Sequence, residues 1–411
     1  MRTALTALAA ASLLQTPAPT APMQALDAYL DIDVERLTAL AEHGETASAL
    51  LALMTRERDA AARLGRAAAD LAADDPDLAV RLEQLAVGEL QRQGRWSAAL
   101  ALDQSVPDAS ADVFAKSYAL FPGEQARSPD VVTVPFDGLR IPGRLNGREI
   151  AIALDTGAPG VGVNADIVRE SGLEVDLSVS RRSAVPALDL VFDVYPVRID
   201  RLEIGESVFE NVPANFGDLS EEDAERAAAA LPDFDVIMGL DVLGRWFQAV
   251  ELDYDARQLR LIRGAQASDE PPNFIHGGGL KPVMRIQSGE RAANIYLDTG
   301  AYGHSFPPGD LNLRRQAARR FERSWGSFTE YLVDARVAGG ATNSYWTSGS
   351  GFGADERFRV EGVFGDPQSG TIRVDLQSGR IEYSGYRREA ARYSFDPVET
   401  WAPAQRPCAS E

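Results

Sequence analysis

The sequence predicts a mainly β protein of two similar units, preceded by an all-α segment. Three observations carry that expectation. Residues from about 23 to 120 are rich in Ala and Leu, with apolar positions at helical spacing. Beyond the Pro- and Gly-containing stretch Phe121 to Pro129, the pattern changes to short, alternating, β-branched runs. The tetrapeptide Asp-Thr-Gly-Ala then occurs twice, at Asp155-Thr156-Gly157-Ala158 and at Asp298-Thr299-Gly300-Ala301. Each copy closes an apolar, strand-like run. An unrelated Asp-Thr-Gly is expected roughly once in several thousand positions, so chance is a poor account of the pair.

At 411 residues the chain is long enough for two or three domains with substantial cores. Asp plus Glu number 61 against 41 Lys plus Arg, a net charge of -20. That balance argues against nucleic-acid binding, which needs clustered basic residues. It leaves peptides and small molecules open as ligands, and it also serves solubility. The single cysteine, Cys408, allows no intrachain disulfide and suggests no Cys-based metal site. His43, His276 and His304 lack metal-ligand spacing, so no metal or other cofactor is expected. His304 follows the second tetrapeptide closely and either borders that loop or is a solvated loop histidine.

Residues 1–22 read as an export signal. Met1-Arg2 opens them, an Ala/Leu run extends to Leu14, and a Pro-rich stretch follows. A disordered start is the alternative. The signal reading implies a periplasmic or secreted protein. The segment 23–125 is expected to form helical hairpins. Asp75-Pro76 is a helix start, with Asp as cap and Pro in the first turn. Leu82, Leu85, Ala86 and Leu90 form one apolar face, Gly94 ends the helix, and Trp96 opens the next. Gly94 to Leu100, with Pro107 beyond, resembles one turn of a tetratricopeptide repeat, although no second repeat is clear. A protein-binding surface and a plain helical bundle both remain open.

The first β unit is placed at 126–265. Val131 to Phe136 and Leu139 to Gly143 are strands, Asn146-Gly147 a hairpin turn, and Arg148 to Leu154 the strand into Asp155. Asn164 to Ser171 is a short helix stopped by Gly172. Val191 to Ile204 is strand, with a turn at Glu203 to Ser207. Asp218 to Pro232 suggests a surface helix. Val250 to Asp255 and Gln258 to Ile262 form a closing hairpin. Gly264 to Gly279 reads as a linker. The second unit, 270–390, repeats the order: Val283 to Ile286, Ala292 to Leu297 into Asp298, a polar helix or loop over Leu311 to Ser324, and a strand at Tyr331 to Ala338. It closes with Thr371 to Leu376 and Arg380 to Tyr383. Residues 391–411 form a polar tail.

Two such Asp loops suggest paired carboxylates. Held about 3 Å apart, two Asp groups cannot both ionise and share one proton. One then acts as general base on water while the other protonates a carbonyl, without a metal. At these residues the chain resembles the aspartic proteases of the retropepsin-like and pepsin-like families. The resemblance implies a bilobal acid-protease-like fold, with Asp155 and Asp298 catalytic and a peptide or protein as substrate. It implies that Thr156 and Thr299 interlock the loops by hydroxyl-to-backbone hydrogen bonds. It also implies a hydrophobic-hydrophobic-Gly strand behind each loop. Ile237-Met238-Gly239 and Val363-Phe364-Gly365 fit, Gly239 with a short helix after it. Asp366-Pro367 puts the equivalent helix of the second unit in doubt.

Retropepsin-like proteins usually supply one loop and dimerise, whereas pepsin-like proteins carry both. A single-chain dyad is the economical reading, and sites formed between chains are the rival. A descendant that binds peptides without cleaving them is a further alternative. Ser183 to Leu190 and Trp325 to Tyr331 are candidate flaps, with Trp325, Phe328, Tyr345 and Trp346 as candidate cleft aromatics. Ala158 and Ala301 stand where pepsin-like enzymes have Ser or Thr, removing a hydroxyl donor from the carboxylate. Fewer donors raise a carboxylate's pKa. The pH optimum of peptide cleavage should therefore lie nearer neutral than that of a Ser-containing site, and a sharp optimum near about pH 3 would contradict this.

Overall fold

A computed structural model describes residues 19–103, 114–137, 139–185, 190–220, 222–225, 234–264, 268–301, 303–306, 318–323, 326–348, 354–365, 367 and 369–386. Residues 1–18 of the expected signal segment 1–22, the tail from 387, Pro107, Trp325 and Asp366 lie outside the described residues. The architecture is mainly β and bilobal, of acid-protease type, with helices leading into it. No helix among the described residues is long and apolar enough to cross a membrane.

The helices are α1 (Ala21–Leu30), α2 (Val34–Ala41), α3 (Glu45–Met54), α4 (Ala60–Leu71), α5 (Pro76–Arg92), α6 (Trp96–Asp103) and α7 (Ala115–Tyr118). Their sequence signals act as expected. Asp75 Oδ1 accepts the Leu78 amide at 3.1 Å, capping α5. Gly94 takes φ +68° and releases the chain into α6. Leu82, Ala86 and Leu90 face inward on α5.

The helices are not an appendage. Leu26, Leu30, Leu82 and Leu90 share a buried cluster with Ile275, Val283, Tyr296, Val360 and Val363 of the second lobe. Asn294 Nδ2 donates to the α1 carbonyl of Leu30 at 2.6 Å. Arg359 pairs with Asp27, and with Asp31 at 2.8 Å. On the other side, Tyr118 donates to the Ala214 carbonyl of the first lobe at 2.9 Å.

In the first lobe, Arg148–Leu154 lies between Arg140–Leu145, antiparallel, and Val236–Met238, parallel. Val161–Val163 runs antiparallel on the far side of Val236–Met238. The second lobe repeats this. Arg291–Leu297 lies between Pro282–Ser288, antiparallel, and Val360–Phe364, parallel, with His304–Ser305 beyond. Asn146 and Gly147 turn with φ 50° and 87°, as the hairpin requires. Asn164 caps Ala165–Glu170, and Gly172 ends it.

The two closing hairpins do more than seal their own lobes. Ala249–Asp253 pairs antiparallel with Thr371–Asp375, so one sheet crosses the molecule. Leu252, Leu259, Leu261, Ile372 and Val374 from its strands are buried.

Several expectations change. The stretch Gly264 to Gly279 is not all linker, because Phe274–His276 is a buried strand paired with Pro282–Ser288. Asn273 secures its entrance by donating to the carbonyls of Ala338 and Ile381. Gly and Pro around it hid a three-residue strand whose position tertiary pairing decides. Within Leu311 to Ser324, Ala318–Arg323 is a strand paired with Gly326–Val337, not helix. His304 is no solvated loop histidine. It is buried and stacks on Phe364 at 4.3 Å, with Tyr345 edge-on. Tyr345 belongs to that buried cluster, not to a cleft, while Trp346 is half-buried.

Asn294→Ala removes the bond to α1 and leaves the buried Leu30 carbonyl unsatisfied. Urea denaturation should show a loss of about 1–3 kcal/mol, and no change would contradict the docking described.

Candidate active site

The same local logic sets both loops. Each Asp ends a strand with a hydrogen-bonded neighbour on both sides, so its position is fixed by the sheet. The Asp155 amide donates to the Met238 carbonyl at 3.0 Å, and the Asp298 amide to that of Phe364 at 2.9 Å. The chain then turns at once. The Ala158 amide donates to the Asp155 carbonyl at 3.1 Å, and Ala301 does the same to Asp298 at 3.0 Å.

The two loops meet within one chain. Thr156 Oγ1 donates to the Leu297 carbonyl at 2.9 Å, and Thr299 Oγ1 to that of Leu154 at 3.0 Å. Each hydroxyl also accepts the other threonine's amide, at 2.9 Å for Thr299 N and 3.1 Å for Thr156 N. Both threonines are buried. The two loops are thus joined reciprocally through their threonines.

Glycine is required where the loops touch. A Cβ on Gly157 would lie 2.1 Å from Asp298 Cγ, and one on Gly300 would lie 2.3 Å from Asp155 Oδ2. Each carboxyl group thus lies against the other loop's glycine. Asp155 Oδ1 accepts amides from both loops, Gly157 at 2.8 Å and Gly300 at 3.2 Å. Behind them, a Cβ on Gly239 would meet the Ala158 carbonyl oxygen at 2.1 Å, and one on Gly365 that of Gly303 at 2.1 Å. The structure therefore brings together Asp155, Thr156, Gly157, Ala158, Asp298, Thr299, Gly300 and Ala301, with Gly239 and Gly365 directly behind.

The electrostatics are asymmetric. Burial, and then the negative charge of Asp155, push the Asp298 carboxyl up to about 7. Lys281 and the Ala301 amide oppose that rise. Asp155 accepts two amide hydrogen bonds, one from each loop. The two carboxyl groups therefore sit in unequal settings.

Two contributors were not singled out from the sequence. Asp241, two residues past Gly239, is buried and accepts the Gly160 amide at 2.9 Å, fixing the far end of the first loop. Arg245 lies 3.7 Å from it and 2.8 Å from Glu124. Burial still raises the Asp241 carboxyl above the ordinary carboxylate range. The second lobe has Pro367 at the matching offset, and no helix follows Gly365 among the described residues. The signal was present in Gly239-Leu240-Asp241: an acid on a short apolar helix needs a buried partner. The other contributor is Lys281, at the end of a glycine-rich turn that begins inside the expected linker Gly264 to Gly279.

Both expected flap segments are parts of hairpins. Arg181–Val185 pairs with Leu190–Ile204, and Ala318–Arg323 with Gly326–Val337. Their connecting residues 186–189 and 324–325, and the Phe328 side chain, lie outside the described residues.

Residues 141–242 match the family model described as aspartyl protease. That segment contains the first Asp loop and its supporting glycine. The first lobe is thus similar to aspartyl proteases over that segment, and the chain as a whole is bilobal and acid-protease-like. Among solved structures, the chain is similar to a retropepsin-like aspartic protease from Rickettsia conorii, at 17% identity and a TM-score of 0.22. That alignment covers 34% of this chain and 90% of that one. It is also similar to an aspartic proteinase from Irpex lacteus, at 10% identity and a TM-score of 0.40, over 64% of this chain and 100% of that one. No curated protein matches the chain.

The raised Asp298 pKa has a consequence for stability. Between the ordinary carboxylate value near 4 and about 7, the native protein binds a proton that the unfolded chain does not. Native stability from this group therefore falls as pH rises through that window. The melting temperature of wild type minus that of Asp298→Asn should decline from pH ~4 to pH ~7, and a flat difference would contradict it. Thr156→Val, which removes one hydroxyl donor and one acceptor from the interlock, should cost about 2–4 kcal/mol in chemical denaturation.

Proposed function

We propose that the protein is an aspartic endopeptidase, exported to the periplasm or secreted, in which Asp155 and Asp298 are the catalytic pair. The observation that carries this reading is the acceptance by Asp155 Oδ1 of the Gly300 amide, from the loop that bears Asp298. It supports one shared site in a single chain over sites formed between chains. The family match supports a protease. The export half of the reading rests on the composition of residues 1–22.

In this reading Asp155 is the ionised base and Asp298 the acid. Asp155 removes a proton from water as the oxygen attacks the scissile carbonyl carbon. Asp298 gives its proton to the carbonyl oxygen, and a neutral gem-diol forms. The diol then collapses. Asp298 takes back a hydroxyl proton, the C–N bond breaks, and Asp155 delivers its proton to the leaving amine. The pair ends with the one proton it began with. Gly157 and Gly300 let each carboxyl lie against the opposite loop, in the place that a side chain would otherwise fill. Thr156, Thr299, Ala158 and Ala301 hold the loops, and Gly239 and Gly365 allow the strands behind them to pass close. An extended peptide suits a cleft flanked by hairpins, because main-chain pairing is independent of sequence. The helical segment offers a separate surface for a protein partner.

Cleavage of an unstructured protein substrate should be blocked by a pepstatin-type inhibitor. Asp155→Asn and Asp298→Asn should each lower kcat/KM by about 10²-fold or more. The alkaline limb should fall near pH 7, where Asp298 gives up its proton. Equal activity in wild type and both variants would falsify the dyad.

A further inference from the structure

The turn Gly277–Lys281 joins three parts of the molecule. Its Gly279 reaches the first Asp loop, where a Cβ would lie 3.7 Å from Pro159. Leu280 faces α5, and a Cβ on Gly88 would lie 3.6 Å from it. At the end of the turn, Lys281 Nζ lies 5.5 Å from the ring centre of Tyr296, two residues before Asp298 on the same strand. The turn is held tightly. The Gly277 amide donates to the Lys281 carbonyl at 2.8 Å, and His276 Nδ1 lies 2.9 Å from the Leu280 carbonyl. Gly277 and Gly278 lie flush on Tyr296 and Asp355, where a Cβ would come within 2.8 Å of Tyr296 Cε1 and 2.6 Å of Asp355 Oδ2.

We propose that Lys281 is a positioning residue for the carboxyl pair: its ammonium, held by the glycine turn, sets the pH at which the shared proton is lost. This rests on the dyad reading above and deepens it. The other charged and titratable groups around the turn are already committed. Tyr296 donates to Asp355 at 2.9 Å, and Arg357 bonds the same carboxylate at 3.3 Å. His276 is buried, and burial holds it neutral by lowering its pKa well below the usual imidazole value. Arg81 of α5 donates to the Arg357 carbonyl at 3.1 Å, and Glu356 lies at the outer cavity between α5 and the turn. Asp155 and Asp298 are the pair itself. Among the described residues Lys281 forms no ion pair, so its charge acts on the site without a partner to cancel it. The antiparallel register that pairs Val283 with Tyr296 sets Lys281, two residues before Val283, opposite Asp298, two residues after Tyr296. A positive charge there favours the ionised carboxylate and makes the shared proton easier to lose, in line with the opposition of Lys281 to the rise of Asp298.

The test is the pH dependence of two properties in wild type, Lys281→Gln and Lys281→Arg: kcat/KM on a peptide substrate, and melting temperature measured relative to the matching Asp298→Asn double variant. Lys281→Gln should move the alkaline limb and the midpoint of the stability decline upward together, by about 0.5–1 pH unit. Lys281→Arg should stay with wild type. An unmoved stability midpoint in Lys281→Gln would overturn the proposal, as would equal shifts in the Gln and Arg variants. If wild type cleaves nothing at any pH, the protease reading fails, and the stability midpoint still decides the role of Lys281.

Discussion

Four buried hydrogen bonds made by Thr156 and Thr299, two between them and two to the carbonyls of Leu297 and Leu154, tie the two lobes together at the point where the carboxyl groups meet. Each threonine hydroxyl donates to the carbonyl just before the opposite Asp and accepts the opposite threonine's amide. A net contribution near 1 kcal/mol per bond is ordinary. The larger effect is the cost of separation, since parting the loops would leave eight donors and acceptors unsatisfied in the interior. Rigidity at this point is inherited by everything attached. Asp155 and Asp298 follow their threonines, and Gly157 and Gly300 are then forced by the space that remains. The sheet formed by Ala249–Asp253 and Thr371–Asp375 restrains the lobes at a second place.

The loops are nearly symmetric, but their surroundings are not. The first loop is propped by Asp241, which is held in turn by Arg245 and Glu124. Arg245 also lies under the Trp96 ring of α6, at 5.1 Å. The second loop has Pro367 where such a prop would stand, and its Ala301 packs instead against the helical core. Two equal acids in unequal settings acquire unequal proton affinities. Here Asp155 accepts amides from both loops, while burial and the charge of Asp155 push Asp298 up. A symmetric pair would have no preferred division of labour.

Much of this was legible because it follows from local rules. Asp75-Pro76, Asn146-Gly147 and Gly172 each satisfy a backbone demand within a few residues, and each lies where its chemistry puts it. The strands into Asp155 and Asp298 announce themselves by apolar runs that end in the same tetrapeptide. What was hidden depends on distant partners. Phe274–His276 became a strand only because Pro282–Ser288 and the side chain of Asn273 were available. His304 was polar by composition but is enclosed by Phe306, two residues on, and by Tyr345 and Phe364, far along the chain. The pairing of the closing hairpins across lobes was illegible for the same reason, as register between strands more than a hundred residues apart leaves no local trace.

The helical segment acts on the site through burial. In the first lobe, the strand that leads to Asp155 begins with exposed Arg148 and Glu149 and keeps one face partly open. In the second lobe, Ala293 to Leu297 is buried without a break. Continuous burial on both faces is what a strand shows when a second layer covers it. That layer is helical: Tyr296 lies in the core of Leu26, Leu82 and Leu90, and Asn294 reaches the last carbonyl of α1. Asp298 is therefore fed from a strand sealed on the side that is open in the first lobe. Desolvation is the first cause of its raised pKa, ahead of the charge on Asp155. The helices thus cover the strand that carries Asp298 on the side that the first lobe leaves partly open.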